Sequence, residues 1–152
     1  MAQLTTNKTI ENAAIAWVMD LERQAGREPQ DTRYRGAPAD IESPPRLIEI
    51  KAVGKDSGRS DGFLWLETRQ VDEARGNPNF YLYVVENVRQ GDASKFRLIV
   101  FGGDQLQRLL AKAKEKHYYE VPIPVAEYDL ARTNAESASV EERLAARVGL
   151  ED

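Results

Sequence analysis

An α/β fold, built as a mixed sheet flanked by helices, is predicted for this 152-residue chain by three observations. An apolar stripe at three- and four-residue spacing opens the chain, and an aromatic and β-branched run lies near its middle. Between them, two short extended stretches rich in Ile and Leu are split by a pair of prolines that can continue neither. Helices and strands then alternate in an order that layers helices on a sheet. At this length one domain is the default, large enough to bury a core without metal or disulfide staples. A hydrophobic content of 41% and a charged content of 30% suit such a domain.

The first helix is read over Lys8 to Gln24. Ile10, Ala13, Ala14, Trp17, Val18 and Leu21 form its apolar stripe, Thr6 or Asn7 its N-cap and Gly26 its stop. Arg27 to Tyr34 is expected to form a first strand, followed by a turn at Arg35-Gly36-Ala37-Pro38. Ala39 to Ser43 and Leu47 to Ala52 are read as a hairpin of two strands. Gly54 to Gly62 holds no large apolar residue and is expected to be a loop, with Phe63 to Leu66 returning to the sheet. Glu67 to Arg75 reads as a short helix ending at Gly76-Asn77-Pro78.

Phe80 to Val88 carries the strongest strand signal, and its near-continuous apolarity predicts cover on both faces. Arg89 to Ser94 reads as a turn and Phe96 to Phe101 as another strand. A helix from about Asp104, its expected N-cap, to Lys116 should carry Leu106, Leu109, Leu110 and Ala113 inward, with Lys112, Lys114 and Lys116 at the negative end of its dipole. His117 to Tyr119 and Val121 to Val125, interrupted by Pro122 and Pro124, suggest an edge strand or an extended arm. Ser139 with Glu142 makes a capping box, so Val140 to Val148 is expected to be a terminal helix that packs on the body or on a second subunit.

Composition narrows the chemistry. Without cysteine there is no disulfide, thiol nucleophile or thiolate zinc site, and His117 as the single histidine makes a Ser-His mechanism a poor fit. Hydrolysis would have to rest on carboxylates and lysine. A net charge of -4 argues against a strong non-specific nucleic-acid binder, although a local basic stripe can still carry phosphate contacts. The N-terminus lacks the apolar core of a signal peptide, and nowhere do about 20 consecutive apolar residues occur, so a cytoplasmic protein with no membrane partner is expected.

The hairpin ADIESPPRLIEIKA, Ala39 to Ala52, concentrates the candidate chemistry. Side chains alternate along a strand, so Leu47, Glu49 and Lys51 share one face and Ile48, Ile50 and Ala52 the other. If Pro44-Pro45 alone makes the connection, Asp40 falls opposite Glu49, with Cβ atoms roughly 4.5–5.5 Å apart. An odd-numbered connection sets Asp40 opposite Ile50 instead. Two carboxylates held together require neutralisation by a metal ion or by Lys51, and a hard cation acting on phosphate is the chemistry suggested. A bland alternative makes Glu49 and Lys51 an exposed pair on an edge strand and Asp40 a turn residue.

Asp40 followed by Glu49-Ile50-Lys51 resembles the metal-binding signature of the PD-(D/E)XK nuclease superfamily. The wider run of Glu11-Asn12-Ala13-Ala14, Gly26, Ala39-Asp40-Ile41, Ile48 to Ala52, Gln70, Ala74 and Phe80 to Val85 is similar to the NO VEIN C-terminal-type domain of unknown function. The resemblance spans about residues 8 to 101 and implies a restriction-endonuclease-like core. A nuclease-like domain is accordingly assigned to residues 1–128, and a C-terminal tail with a short helix to 129–152.

The resemblance also implies roles. Asp40, Glu49 and the Ile50 carbonyl would hold Mg²⁺ or Mn²⁺, Lys51 would activate water or meet charge on phosphate, and Glu11 and Gln70 would complete the shell. Without it, Glu11 simply suits the positive end of its helix and Gln70 a surface. Arg33, Arg35, Arg46, Lys55 and Arg59 are either a DNA-facing cluster or a scatter of solvated charge. The function implied is hydrolysis of DNA phosphodiesters, with RNA also open, in defence or DNA processing. The alternative is an inactive nuclease-fold module that binds DNA or protein in a homodimer or larger assembly.

Overall fold

The computed structural model describes residues 3–54 and 64–137. Helix α1 spans Asn7–Gln24 and is closed at its start by a reciprocal Thr6–Thr9 capping box. It buries Ile10, Ala14, Ile15 and Val18, and the same stripe continues to a buried glutamate, Glu22. Gly26, at a φ of +85°, lets the chain reverse after the helix at little steric cost.

Five strands follow in sheet order β1-β2-β3-β4-β5: β1 (Gln30–Asp31), β2 (Ile41–Ser43), β3 (Arg46–Ala52), β4 (Phe80–Glu86) and β5 (Arg97–Phe101). β3 and β4 are parallel, and the other neighbours antiparallel. The sheet is therefore mixed, as the sequence predicts. Helix α2 (Thr68–Gly76) lies on the crossover between the parallel strands, and α3 (Gly103–Ala111) follows β5.

Alternation divides the core into two layers. Ile41, Ile48, Ile50, Tyr83 and Val85 pack with α1, while Ala74 of α2 and Leu106 and Leu110 of α3 cover Phe80 and Leu82, with Leu47 at the margin. Full burial of one such side chain contributes roughly 1.5–3 kcal/mol. A one-residue slip would turn Ile41, Ile48 and Ile50 away from α1 together, so the hairpin register is strongly specified.

Several expected elements differ. The first strand shrinks to two residues because Arg27 turns to Glu22 and Pro29 can donate no ladder bond. Leu64 to Leu66 forms no strand: both sides of β3 are taken by β2 and β4, and Leu66 instead packs against the α2–α3 layer. β4 stops at Glu86, where Asn87 adopts a left-handed φ of 62°.

Helix α3 is capped by Gly102 rather than Asp104 and stops at Ala111, leaving Lys114 and Lys116 beyond its end. Leu110 is its last buried residue, and a short helix without a face to bury is not self-supporting. Residues 113–124 form no strand, and Pro122 and Pro124 each withhold a donor. Helix α4 spans residues 125–137, ahead of the Val140 to Val148 helix expected for the tail. The expected helix Val140 to Val148 and its capping box lie outside the described residues, as do Lys55, Arg59 and most of the Gly54 to Gly62 loop.

The chain divides into two compact units, one ending at Glu115 and the other beginning at Lys116. Among the described residues no helix is long and apolar enough to cross a membrane.

Candidate functional site

The β2–β3 hairpin is closed by Pro44-Pro45 alone, with Ile41 paired to Ile48 and Ser43 to Arg46. Continuing this register by one residue brings Asp40 opposite Glu49, the even-numbered arrangement. Asp40 lies just before β2, and its Oδ2 accepts the Ile50 N–H at 2.9 Å. The Ile50 group seen to engage the site is thus its N–H.

Glu49 sits in the middle of β3 with only 3% of its surface exposed. β3 is an inner strand, so the exposed edge-strand pair is not what the sequence builds. Glu49 Oε2 accepts from Gln70 Nε2 at 2.7 Å and lies 3.5 Å from Lys51 Nζ. Its other oxygen, Oε1, is buried and meets no donor among the described residues. Burial, reinforced by the negative charge of Asp40, pushes the Glu49 carboxyl up to about 7 against the pull of Lys51. A proton held on Glu49 can be shared with Asp40, which raises it further. Such a pair calls for a positive charge between its members, and two carboxylates with a spare buried oxygen suit a hard divalent cation.

Gln70 is oriented by its own helix. Its Oε1 accepts from Glu67 N at 2.9 Å, closing the first turn of α2, so its amide nitrogen is the end directed at Glu49. A residue at the third position of a helix thereby serves both the cap and the acidic pair.

The remaining candidates are placed elsewhere. Glu11 is on α1, which packs against the opposite face of the sheet from Glu49, and accepts from Arg33 at 3.0 Å with Lys8 at 3.9 Å. Arg33 is also bound by Asp31 at 2.7 Å, which neutralises it further. Arg35 donates to Gln30 at 3.3 Å. Arg46 lies on the face opposite Glu49, donating to the Tyr83 hydroxyl at 2.6 Å with its guanidinium 4.2 Å from the Tyr81 ring centroid. Among the described residues no group of three or more His, Cys, Asp or Glu side chains is arranged to hold one metal ion, so the acidic site is a pair.

Sequence reading missed a second polar cluster. Arg27 grips Glu22 through two bonds of 2.7 Å, and the Tyr83 hydroxyl stands 3.5 Å from the same carboxylate. Burial pushes Glu22 up, and Arg27, with help from Ser43 and Arg46, brings it below the usual carboxylate range. The signal was available: Glu22 continues the buried spacing Ile10, Ala14, Val18, where a charged residue needs a partner.

Comparison with curated proteins finds no significant match, and neither does comparison with solved structures. Comparison with protein families matches residues 10–99, more than half of the chain, to the family described as Protein NO VEIN, C-terminal. The match runs from α1 through the Asp40–Glu49 hairpin and α2 into β5, and the chain belongs to the NO VEIN C-terminal family.

Proposed function

We propose that this protein is a metal-dependent nuclease that hydrolyses DNA phosphodiester bonds on a restriction-endonuclease-like core of PD-(D/E)XK type. The observation that carries the reading is Glu49, a buried carboxylate facing Asp40 with one oxygen meeting no donor among the described residues and with lysine and glutamine on the other. Asp40 and Glu49, with the Ile50 carbonyl, are the residues that would hold Mg²⁺ or Mn²⁺. Such an ion would polarise the phosphate and acidify a bound water. Lys51, tethered beside Glu49, supplies a cation toward charge developing on phosphate. Gln70 holds the Glu49 carboxylate in orientation, and Glu11 is an outer acidic residue that fixes Arg33. Defence or DNA processing is the setting this chemistry suits.

The test offers plasmid, linear duplex, single-stranded DNA and RNA, with Mg²⁺ and with Mn²⁺. Cleavage of at least one substrate is expected, abolished in Glu49→Gln and Asp40→Asn. In Lys51→Ala it should fall by about a hundredfold or more, since a positioned charge of this kind contributes several kcal/mol to the transition state. Wild-type protein that cuts none of the substrates contradicts the reading, and Lys51→Ala protein that cuts as fast as wild type removes the role given to Lys51.

A second reading keeps the fold without the chemistry, as a module that binds DNA or protein within a larger assembly. The attachment of Glu11 to Arg33, leaving two carboxylates at the site among the described residues, and the net charge of -4 favour it. Binding without cleavage in the same assay is its signature.

A further inference from the structure

Asp40 stands just before β2, at the point where the β2–β3 ladder ends. Ile41 is paired with Ile48, and the same register sets Ala39 opposite Ile50. There the pairing gives way: the Ala39 carbonyl accepts from the hydroxyl of the buried Thr32 at 2.9 Å, and the Ile50 N–H goes to the Asp40 side chain. The Asp40 carboxylate is thus carried by the end of a connection, residues 32–40, rather than by the paired part of the hairpin. Where it rests depends on what holds that connection.

Contacts at the ends and in the middle hold it. Thr32 closes the connection on itself, its N–H meeting the Asp40 carbonyl at 2.8 Å as its hydroxyl meets Ala39. Between these ends Arg69 reaches across from the first turn of α2 and donates to the Ala37 carbonyl at 2.6 Å. Its neighbour Gln70 donates to Glu49 at 2.7 Å. Consecutive residues of one helical turn therefore reach both members of the acidic pair, Gln70 directly and Arg69 through the segment from Ala37 to Asp40. The turn is anchored from behind, because Ala74 is fully buried with Phe80, Leu82 and Leu106 and its carbonyl accepts from Gln107 at 2.8 Å.

We infer that Arg69 is a positioning residue that holds Asp40 at a set separation from Glu49 and so preorganises the pair for an ion of strict geometry. The inference rests on the reading of the pair as a metal site, though the brace itself needs no ion. Groups that orient metal ligands tune the site without touching the ion. Mg²⁺ demands a near-ideal octahedron with oxygens at about 2.0–2.1 Å, whereas Ca²⁺ takes oxygens at about 2.3–2.6 Å in a flexible shell. Loosening one of two carboxylates therefore costs Mg²⁺ more than Ca²⁺.

The experiment compares wild type with Arg69→Met, which keeps the length of the side chain without its donors, and with Arg69→Lys, which keeps a donor. In metal-free protein, amide hydrogen exchange should be about fivefold or more faster at Ile50 in Arg69→Met, with the amides of β4 unchanged, and Arg69→Lys should restore most of the protection. In calorimetric titrations at about pH 8, Arg69→Met should weaken Mg²⁺ binding by about 3- to 10-fold and Ca²⁺ binding by less, as the loss of one such bond implies. Unchanged exchange at Ile50, or a rise shared equally with β4, overturns the inference, since the bond then serves overall stability at most. Mg²⁺ and Ca²⁺ affinities that stay the same or fall equally also overturn it, and with saturable wild-type binding they leave the metal reading standing. Selectively faster exchange at Ile50 in a protein that binds neither ion supports the brace and removes the metal reading alone.

Discussion

Glu22 and Glu49 are both buried, one toward each face of the sheet, and their surroundings drive their protons in opposite directions. Both are raised by burial. Glu22 receives a guanidinium that satisfies both oxygens and reverses the effect, whereas Glu49 receives an amide, a more distant ammonium and the repulsion of Asp40. A carboxyl raised in the folded state binds its proton more tightly there than in the unfolded chain. Between its ordinary value of 4.5 and about 7 the folded form therefore holds the extra proton, and stability falls as pH rises through that window. Thermal melts of metal-free protein should lose several degrees between roughly pH 5 and pH 8. Glu49→Gln, which keeps the shape without the charge, should flatten that slope; an equally steep slope in the variant would show that Glu49 does not hold the extra proton. The chemistry of Glu49 was legible because alternation put it beside Lys51 on one face. The same alternation puts Arg46 with Ile48 and Ile50, on the face away from Glu49, where it meets Tyr83 and Tyr81.

At the scale of elements, the hairpin and the central strands were readable because their causes are local: two prolines, a period of two, and β-branched runs. Ends decided by distant partners were not. Helix α3 stops where its buried face runs out at Leu110, and Leu64 to Leu66 finds no free strand to join. Glu11 likewise depends on where Arg33, carried by another segment, comes to rest. The β5–α3 joint shows how tightly distant segments meet: a Cβ added at Gly102 would fall 2.5 Å from the Tyr81 ring, itself stacked under Arg46. Gly102→Ala should therefore destabilise the protein by about 1–3 kcal/mol, as overpacking does. Chemical denaturation measures this, and an unchanged midpoint would mean that the Tyr81 ring moves aside freely.

Over the whole molecule, the unit ending at Glu115 holds the sheet, both core layers and all the described candidate site residues. In the described part of the second unit every residue is exposed, and its helix α4 left little sequence signal because no buried stripe marks it. The family match lies within the first unit. The fold therefore converges on one hairpin, where Asp40 and Glu49 face each other as the pair proposed to hold a cation. Calorimetric titration of metal-free protein with Mn²⁺ tests that most directly, at about pH 8, where Glu49 has released its proton, and at about pH 6, where the ion must displace it. The account predicts one saturable site, tighter at the higher pH, lost in Glu49→Gln and in Asp40→Asn and retained in Lys51→Ala. Absence of saturable binding, or equal affinity in wild type and both carboxylate variants, would contradict it.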